Sequence, residues 1–213
     1  RAWGEIGHSQ LVVESFIRFR RELSIIAVRG IDGETACYPM AENMHENGIL
    51  RFSVAPAPQL DPATQTRAEE MVQLLLKELD YVGTLALELF ETDDGLLANE
   101  MAPRVHNSGH WTQDGAVTSQ FENHVRAIAG LPLGNTQHRS PTCMINIIGE
   151  TGDIPGLLKL PYTHLHLYDK QPRPGRKLGH VNICADSYEE LGWRAMNAAS
   201  LLPGTPEFRY SVT

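Results

Sequence analysis

The feature that most constrains this chain is the run Gly83-Thr84-Leu85-Ala86-Leu87-Glu88-Leu89-Phe90-Glu91-Thr92-Asp93-Asp94-Gly95-Leu96-Leu97-Ala98-Asn99-Glu100. Two apolar stretches flank Asp93-Asp94-Gly95, and a three-residue loop with glycine in its third, left-handed position is a favoured hairpin connection. If Thr92 pairs with Leu96, the register sets Glu88 opposite Glu100. Directly opposed residues have Cβ atoms about 4.5–5.5 Å apart and share one face of the sheet. In a partly buried sheet such a carboxylate pair is costly unless a cation bridges it or one member is protonated. Magnesium prefers a few carboxylate oxygens together with phosphate oxygens and water, which suits the pair. Asn99 and Glu100 would then meet nucleotide phosphates. Read alone, the run is equally a solvent-exposed hairpin with two surface glutamates.

Around the hairpin the chain reads as strands and helices in alternation. Leu11 to Glu14 and Leu23 to Val28 are β-prone runs, and Gly30-Ile31-Asp32-Gly33 gives turn chemistry before a strand at Thr35 to Tyr38. Asp61 can cap a helix that carries Pro62 at its first position and an apolar face of Met71, Leu74, Leu75 and Leu79. A second helix is expected over Asp114 to Ala129, with Val117, Phe121, Val125 and Ile128 on one stripe and Gly130 and Pro132 beyond its end. The composition then shifts, which places a boundary near residue 136. The remainder offers strands around Cys143 to Ile148, His164 to Tyr168 and His180 to Ala185. A closing helix starts near Ser187, with Glu190 completing a capping box.

Charge and cysteine content exclude some classes. The 213 residues carry a net charge of −8, which argues against nucleic-acid binding driven by overall basicity. No apolar run approaches the roughly 20 residues needed to span a bilayer, so no membrane partner is expected. Cys37, Cys143 and Cys184 are odd in number and scattered, which points to a reducing cytoplasm rather than a disulfide framework.

Immediately after Glu100 comes Met101-Ala102-Pro103-Arg104-Val105-His106-Asn107-Ser108-Gly109-His110-Trp111, a loop dense in polar and titratable groups. Arg104 offers a planar fork for an anion, and His106, Asn107 and Ser108 can orient a small polar substrate. The plainer reading is a polar turn whose histidines are satisfied locally. Zinc on His106 and His110 would need a helix to bring both rings to one side, and Asn-Ser-Gly between them opposes one. Further on, Lys170, Arg173, Arg176 and Lys177 place four cations within eight residues of an acidic chain. That reversal of charge suits a phosphate, although a solvated basic loop would look the same.

Taken together, Glu88, Asn99-Glu100-Met101-Ala102-Pro103-Arg104 and His106-Asn107-Ser108-Gly109-His110-Trp111 resemble the ATP-grasp carboxyaminoimidazole ribonucleotide synthetases of purine biosynthesis. Val13 to Ile17 with Arg21 to Ser24, Tyr38 to Leu50, His166 to Lys170 and Arg173 to His180 extend the likeness over nearly the whole chain. The resemblance implies an α+β fold: the C-terminal part of an ATP-grasp domain over residues 1–135, mostly antiparallel sheet with packed helices, then a small β-rich domain over 136–213. It also implies ATP-dependent carboxylation of aminoimidazole ribonucleotide with bicarbonate by a cytoplasmic homodimer, with ATP and magnesium, or manganese in its place, as cofactors.

Residue roles follow the same resemblance. Glu14, Ser15, Phe16 and Ile17 would form the adenine hinge, Glu22 would hold the ribose hydroxyls, and His45, Asn99 and Glu100 would contact the nucleotide. Glu88 and Glu100 would hold the metal. Arg104, His106 and Asn107 would hold bicarbonate and shield carboxyphosphate. Lys170, Arg176 and Lys177 would bind the ribonucleotide phosphate. The family's Rossmann-like domain and glycine-rich lid have no counterpart ahead of the hinge, so these residues by themselves are expected not to turn over. Another ATP-grasp carboxylase or ligase, and a non-catalytic nucleotide-binding or interaction module, are the alternatives.

Overall fold

Residues 23–28 of β1 (Arg21–Arg29) are buried without alternation, so layers cover both faces of that strand. The computed structural model describes residues 13–208. After β1 come β2 (Thr35–Cys37), β3 (Ala41–Glu46), β4 (Ile49–Ala55), α1 (Pro62–Glu78), β5 (Gly83–Thr92) and β6 (Gly95–Ala102). A 3-10 turn (Asn107–Gly109) then leads to α2 (Thr112–Gly115) and α3 (Gln120–Ile128). The chain closes with β7 (Thr142–Ile148), α4 (Ile154–Lys159), β8 (Thr163–Leu167), β9 (Lys177–Cys184) and α5 (Tyr188–Ser200). The strands form one antiparallel sheet in the order β6-β5-β1-β3-β4-β7-β9-β8, with β2 alongside β1.

Strand register sorts the side chains into two faces. Leu23, Glu42, Val54, Cys143 and Ile183 succeed one another across the sheet as direct partners and so point the same way. On this side Leu23, Ile25, Leu85, Leu87 and Leu89 pack on Ala68, Val72 and Leu76 of α1. Farther along it, Val54, Ile145, Val181 and Ile183 pack on Leu191, Ala195 and Ala198 of α5. The opposite face is polar over much of its width: Glu22, Asn43, Ser53, Met144, Asn182 and His164 are its successive partners. Asn43 donates to Ser24 Oγ at 2.9 Å and accepts from Ser53 Oγ at 2.7 Å, which satisfies three buried polar groups. Ile26, Ala86, Ala102 and Met144 meet Tyr38 and Trp111 here, beneath the loop that follows β6.

The sheet runs unbroken through the β4–β7 pairing, where Phe52 faces Ile145 and Ala55 faces Thr142. Phe52 and Val54 thereby join the core built mainly by residues beyond 136. Among the described residues no helix is long and apolar enough to cross a membrane.

Several local expectations need correction. The helix expected over 114–129 is two helices, because Val117 and Thr118 donate their backbone N–H groups to Gln137 and Asn135 instead of to the preceding turn. Ser119 then starts α3 afresh by accepting from the Glu122 N–H at 3.1 Å. The stripe of α3 also faces the other way: Val125 and Ile128 are 58% and 52% exposed, while Gln120, Asn123 and Ala127 are buried. Hydrogen bonds decide this orientation, since Asn123 donates to Tyr38 Oη at 2.8 Å and to the Gly134 carbonyl at 3.2 Å.

In α1, Asp61 and Pro62 take the expected capping positions, but Ala68, Val72 and Leu76 carry the buried stripe and Leu74 and Leu79 are exposed. No strand forms over residues 13–19, and Leu11 and Val12 lie outside the described residues. A strand needs a partner, and β1 has its two edges taken by β5 on one side and by β2 and β3 on the other.

Candidate functional site

The hairpin β5–β6 closes with Gly95 at φ +113° and Thr92 paired to Gly95, not Leu96. From Thr92 to Leu89 the register therefore runs one residue short of the expected one. Asn99 is the extra residue of a bulge, and past it Glu88 does face Glu100. Bulges re-aim side chains in this way next to active sites. Burial pushes the Glu88 carboxyl above its ordinary range; the neighbouring His45 opposes this, and Glu100 and Glu22 add to it.

Both glutamates line a cavity of about 590 Å³ with Phe19, Glu22, His45, Asn99, His106 and Asn107. His45 Nδ1 lies 2.9 Å from Glu22 Oε2, and His106 Nε2 lies 3.7 Å from Glu88 Oε1. Burial works to lower the His45 pKa, but the bond and charge of Glu22 outweigh it and hold that imidazole above its ordinary value. His106 is moved the other way, to about 4, by burial and by the charges of Arg104, Lys177 and His45. Among the described residues no group of three or more His, Cys, Asp or Glu is placed to hold a metal, but two facing carboxylates are the oxygen donors that a hard divalent cation bound mainly by phosphate and water would take from a protein. Glu88 and Glu100 are the residues that would hold it.

Gln120 shapes the loop above the sheet. It accepts from the His106 N–H at 3.0 Å, donates to the His106 carbonyl at 2.7 Å, and lies 3.0 Å from His110 Nδ1. The approach is close enough that a Cβ on Gly109 would stand 2.6 Å from Gln120 Oε1, which explains the glycine. The 3-10 turn that follows accounts for the absence of the helical spacing that zinc would require of His106 and His110.

Lys177 opens β9 and reaches the same end of the cavity, where its Nζ donates to Asn107 Oδ1. Burial and the nearby Lys170 lower its pKa to about 7. Behind it stands an aromatic and imidazole cluster that the sequence did not announce as a unit. His166 and His180 stack at 4.5 Å between centroids, His110 lies 4.9 Å from His180, and Asp114 bonds His166 Nε2 at 2.8 Å. His166 and His180 fall in the segments that carried the family likeness, but their pairing depends on the β8–β9 register.

Other expected residues sit apart from the cavity. Glu14, Ser15 and Phe16 are exposed, Phe16 to 91%, and Ile17 is half-buried; none of the four lines it. The aromatic that does is Phe19, stacked on Phe90 at 4.6 Å. Arg104 is exposed and bonds the Val105 carbonyl at 3.0 Å. Lys170 lies exposed over the Tyr168 ring, and Arg176 bonds the Gln171 carbonyl at 3.4 Å. Thus Lys177 alone of the three expected phosphate ligands touches a cavity-lining residue, Asn107.

The family model of the ATP-grasp domain matches residues 1–121, and that of the phosphoribosylaminoimidazole carboxylase C-terminal domain matches 142–194. The N5-carboxyaminoimidazole ribonucleotide synthase of Escherichia coli is 48% identical over 205 residues, which cover 96% of this chain and 57% of that enzyme. The crystal structure of the Thermus thermophilus synthetase matches with a TM-score of 0.89 at 51% identity, over 91% of this chain and 54% of that one. The Aspergillus clavatus synthase, solved in complex with ADP and 5-aminoimidazole ribonucleotide, matches with a TM-score of 0.82 at 32% identity, over 87% and 52%. The chain spans about half the length of the curated relatives it matches. It belongs to the ATP-grasp family, in the branch formed by the N5-carboxyaminoimidazole ribonucleotide synthases.

Proposed function

We propose that this chain provides the metal-binding and carboxyl-donor side of an ATP-dependent ligase. The ligase carboxylates 5-aminoimidazole ribonucleotide with bicarbonate and releases N5-carboxyaminoimidazole ribonucleotide, ADP and phosphate. One observation carries the reading: Glu88 and Glu100 face each other in a cavity that also holds His106 and Asn107, with Lys177 bonded to Asn107. ATP would lie with its base toward Phe19, its ribose at Glu22 and His45, and its terminal phosphates at Asn99, Glu100 and Glu88. A magnesium ion on the two glutamates would neutralise polyphosphate charge. Phosphoryl transfer needs positioning and charge neutralisation more than covalent help from the protein.

The other end of the cavity suits the carboxyl donor. Lys177 supplies a cation that the buried surroundings do not screen, and neutral His106 and Asn107 supply hydrogen bonds to bicarbonate and to the carboxyphosphate made from it. Lys170 and Arg176, which do not line this cavity, remain the candidates for the ribonucleotide phosphate. Three free thiols fit a reducing cytoplasm, and a homodimer is expected from the family alone. ATP hydrolysis by the full-length enzyme, with bicarbonate present and the ribonucleotide added or omitted, tests the reading. Stimulation by the ribonucleotide is the expected result; hydrolysis indifferent to it would assign the site to another acceptor.

A further inference from the structure

Lys177 is held by more than Asn107. The face of the Tyr168 ring lies 5.3 Å from its Nζ, within the range at which an ammonium is attracted by an aromatic quadrupole, and Lys170 Nζ lies 5.5 Å from the same ring. The ring itself is fixed at both ends. Its backbone N–H donates to the Leu178 carbonyl at 2.9 Å, which ties the end of β8 to β9. Its hydroxyl lies 2.5 Å from His180 Nδ1. His180 is buried, stacks on His166, and His166 is in turn bonded to Asp114, whose Oδ2 also accepts from Asn182 Nδ2 at 2.6 Å. A tyrosine ring anchored this way has one orientation, and that orientation presents its face to Lys177.

We infer that Tyr168 is a positioning residue for Lys177: its ring face, locked through the hydroxyl by His180 and the Asp114–His166 pair, keeps the ammonium directed at Asn107 and the carboxyl-donor end of the cavity. The ring attracts the ammonium without ion-pairing it, so Lys177, when protonated, remains available to an anionic substrate. A carboxylate in the same place would hold the lysine more strongly and neutralise it. The catalytic consequence rests on the function proposed above; the geometric one does not.

Two measurements on the full-length protein separate these. In protein labelled with ε-13C-lysine, the ring current of Tyr168 shifts the Lys177 methylene signal upfield in the wild type. The shift is expected to weaken in Tyr168→Phe, which keeps the ring but loses its hydroxyl anchor, and to vanish in Tyr168→Leu; the same position in all three overturns the inference whatever the enzyme does. In the second, ribonucleotide-stimulated ATP hydrolysis is expected to fall about tenfold in kcat/KM for Tyr168→Leu and by much less for Tyr168→Phe. In a Lys177→Met background, Tyr168→Leu is expected to cost nothing more, because the ring acts through that lysine. Additive losses would overturn the positioning role. An upfield shift that behaves as expected in an enzyme indifferent to the ribonucleotide would instead overturn the proposed reaction and leave the ring–lysine contact standing.

Discussion

Glu88 faces Glu100 because Asn99 is bulged out of β6. In the register set by the Asp93-Asp94 turn, Asn99 would oppose Glu88, and the second carboxylate would fall on the opposite side of the strand. One extra residue thus converts an ordinary edge hairpin into a two-carboxylate clamp at the rim of the cavity.

Glu100→Gln removes half of that clamp and the like charge beside Glu88. Magnesium-dependent ATP hydrolysis by the full-length enzyme is expected to fall about a hundredfold or more. The same change removes one of the forces that raise the Glu88 carboxyl, so in metal-free protein Glu88 is expected to titrate lower than in the wild type. Carbonyl 13C shifts followed against pH measure this directly, and an unchanged midpoint would dissociate the pair.

The His45–Glu22 contact carries a pH signature in stability. His45 titrates above its ordinary value in the fold, so its contribution is fully present below the unfolded value of about 6.5 and is lost as pH rises through the folded one. His45→Gln is therefore expected to cost more at about pH 6 than at about pH 8.5, by up to about 1 kcal/mol. Denaturant melts of both proteins at the two pH values give the comparison; equal costs would mean that the ring is not charged in the fold.

Lys177, at about 7, loses its charge within the working range of a neutral enzyme. The KM for bicarbonate is expected to rise as pH rises through that value, and Lys177→Arg to flatten the dependence, since a guanidinium stays protonated. A profile of the same shape in both proteins would take Lys177 out of donor binding.

Gln120 is the buried clasp of the His106 loop. Gln120→Leu leaves the His106 N–H and carbonyl without their partner, and losing buried hydrogen bonds of this kind costs about 2–3 kcal/mol. Unfolding in urea reads the loss. Activity is expected to fall further than stability, because the loop places His106 and Asn107.

Local chemistry made part of this molecule legible in its sequence. Asp61 and Pro62, and Ser187 with Glu190, start helices because capping needs only residues within one turn. The Asp-Asp-Gly turn likewise marked the hairpin, but its register runs one residue short of the expected one, and Glu88 faces Glu100 only through the bulge at Asn99, which was not legible. Tertiary structure decided whatever required a partner far along the chain. The apolar stripe of α3 turned outward because Gln120 and Asn123 had buried groups to satisfy at His106, Tyr38 and Gly134. Phe19, and not Phe16, lines the cavity, and the β8–β9 register put His166 against His180. Periodicity reports which side chains share a face; only the assembled sheet determines what that face meets, because burying a polar group without a partner costs as much as burying an apolar side chain gains.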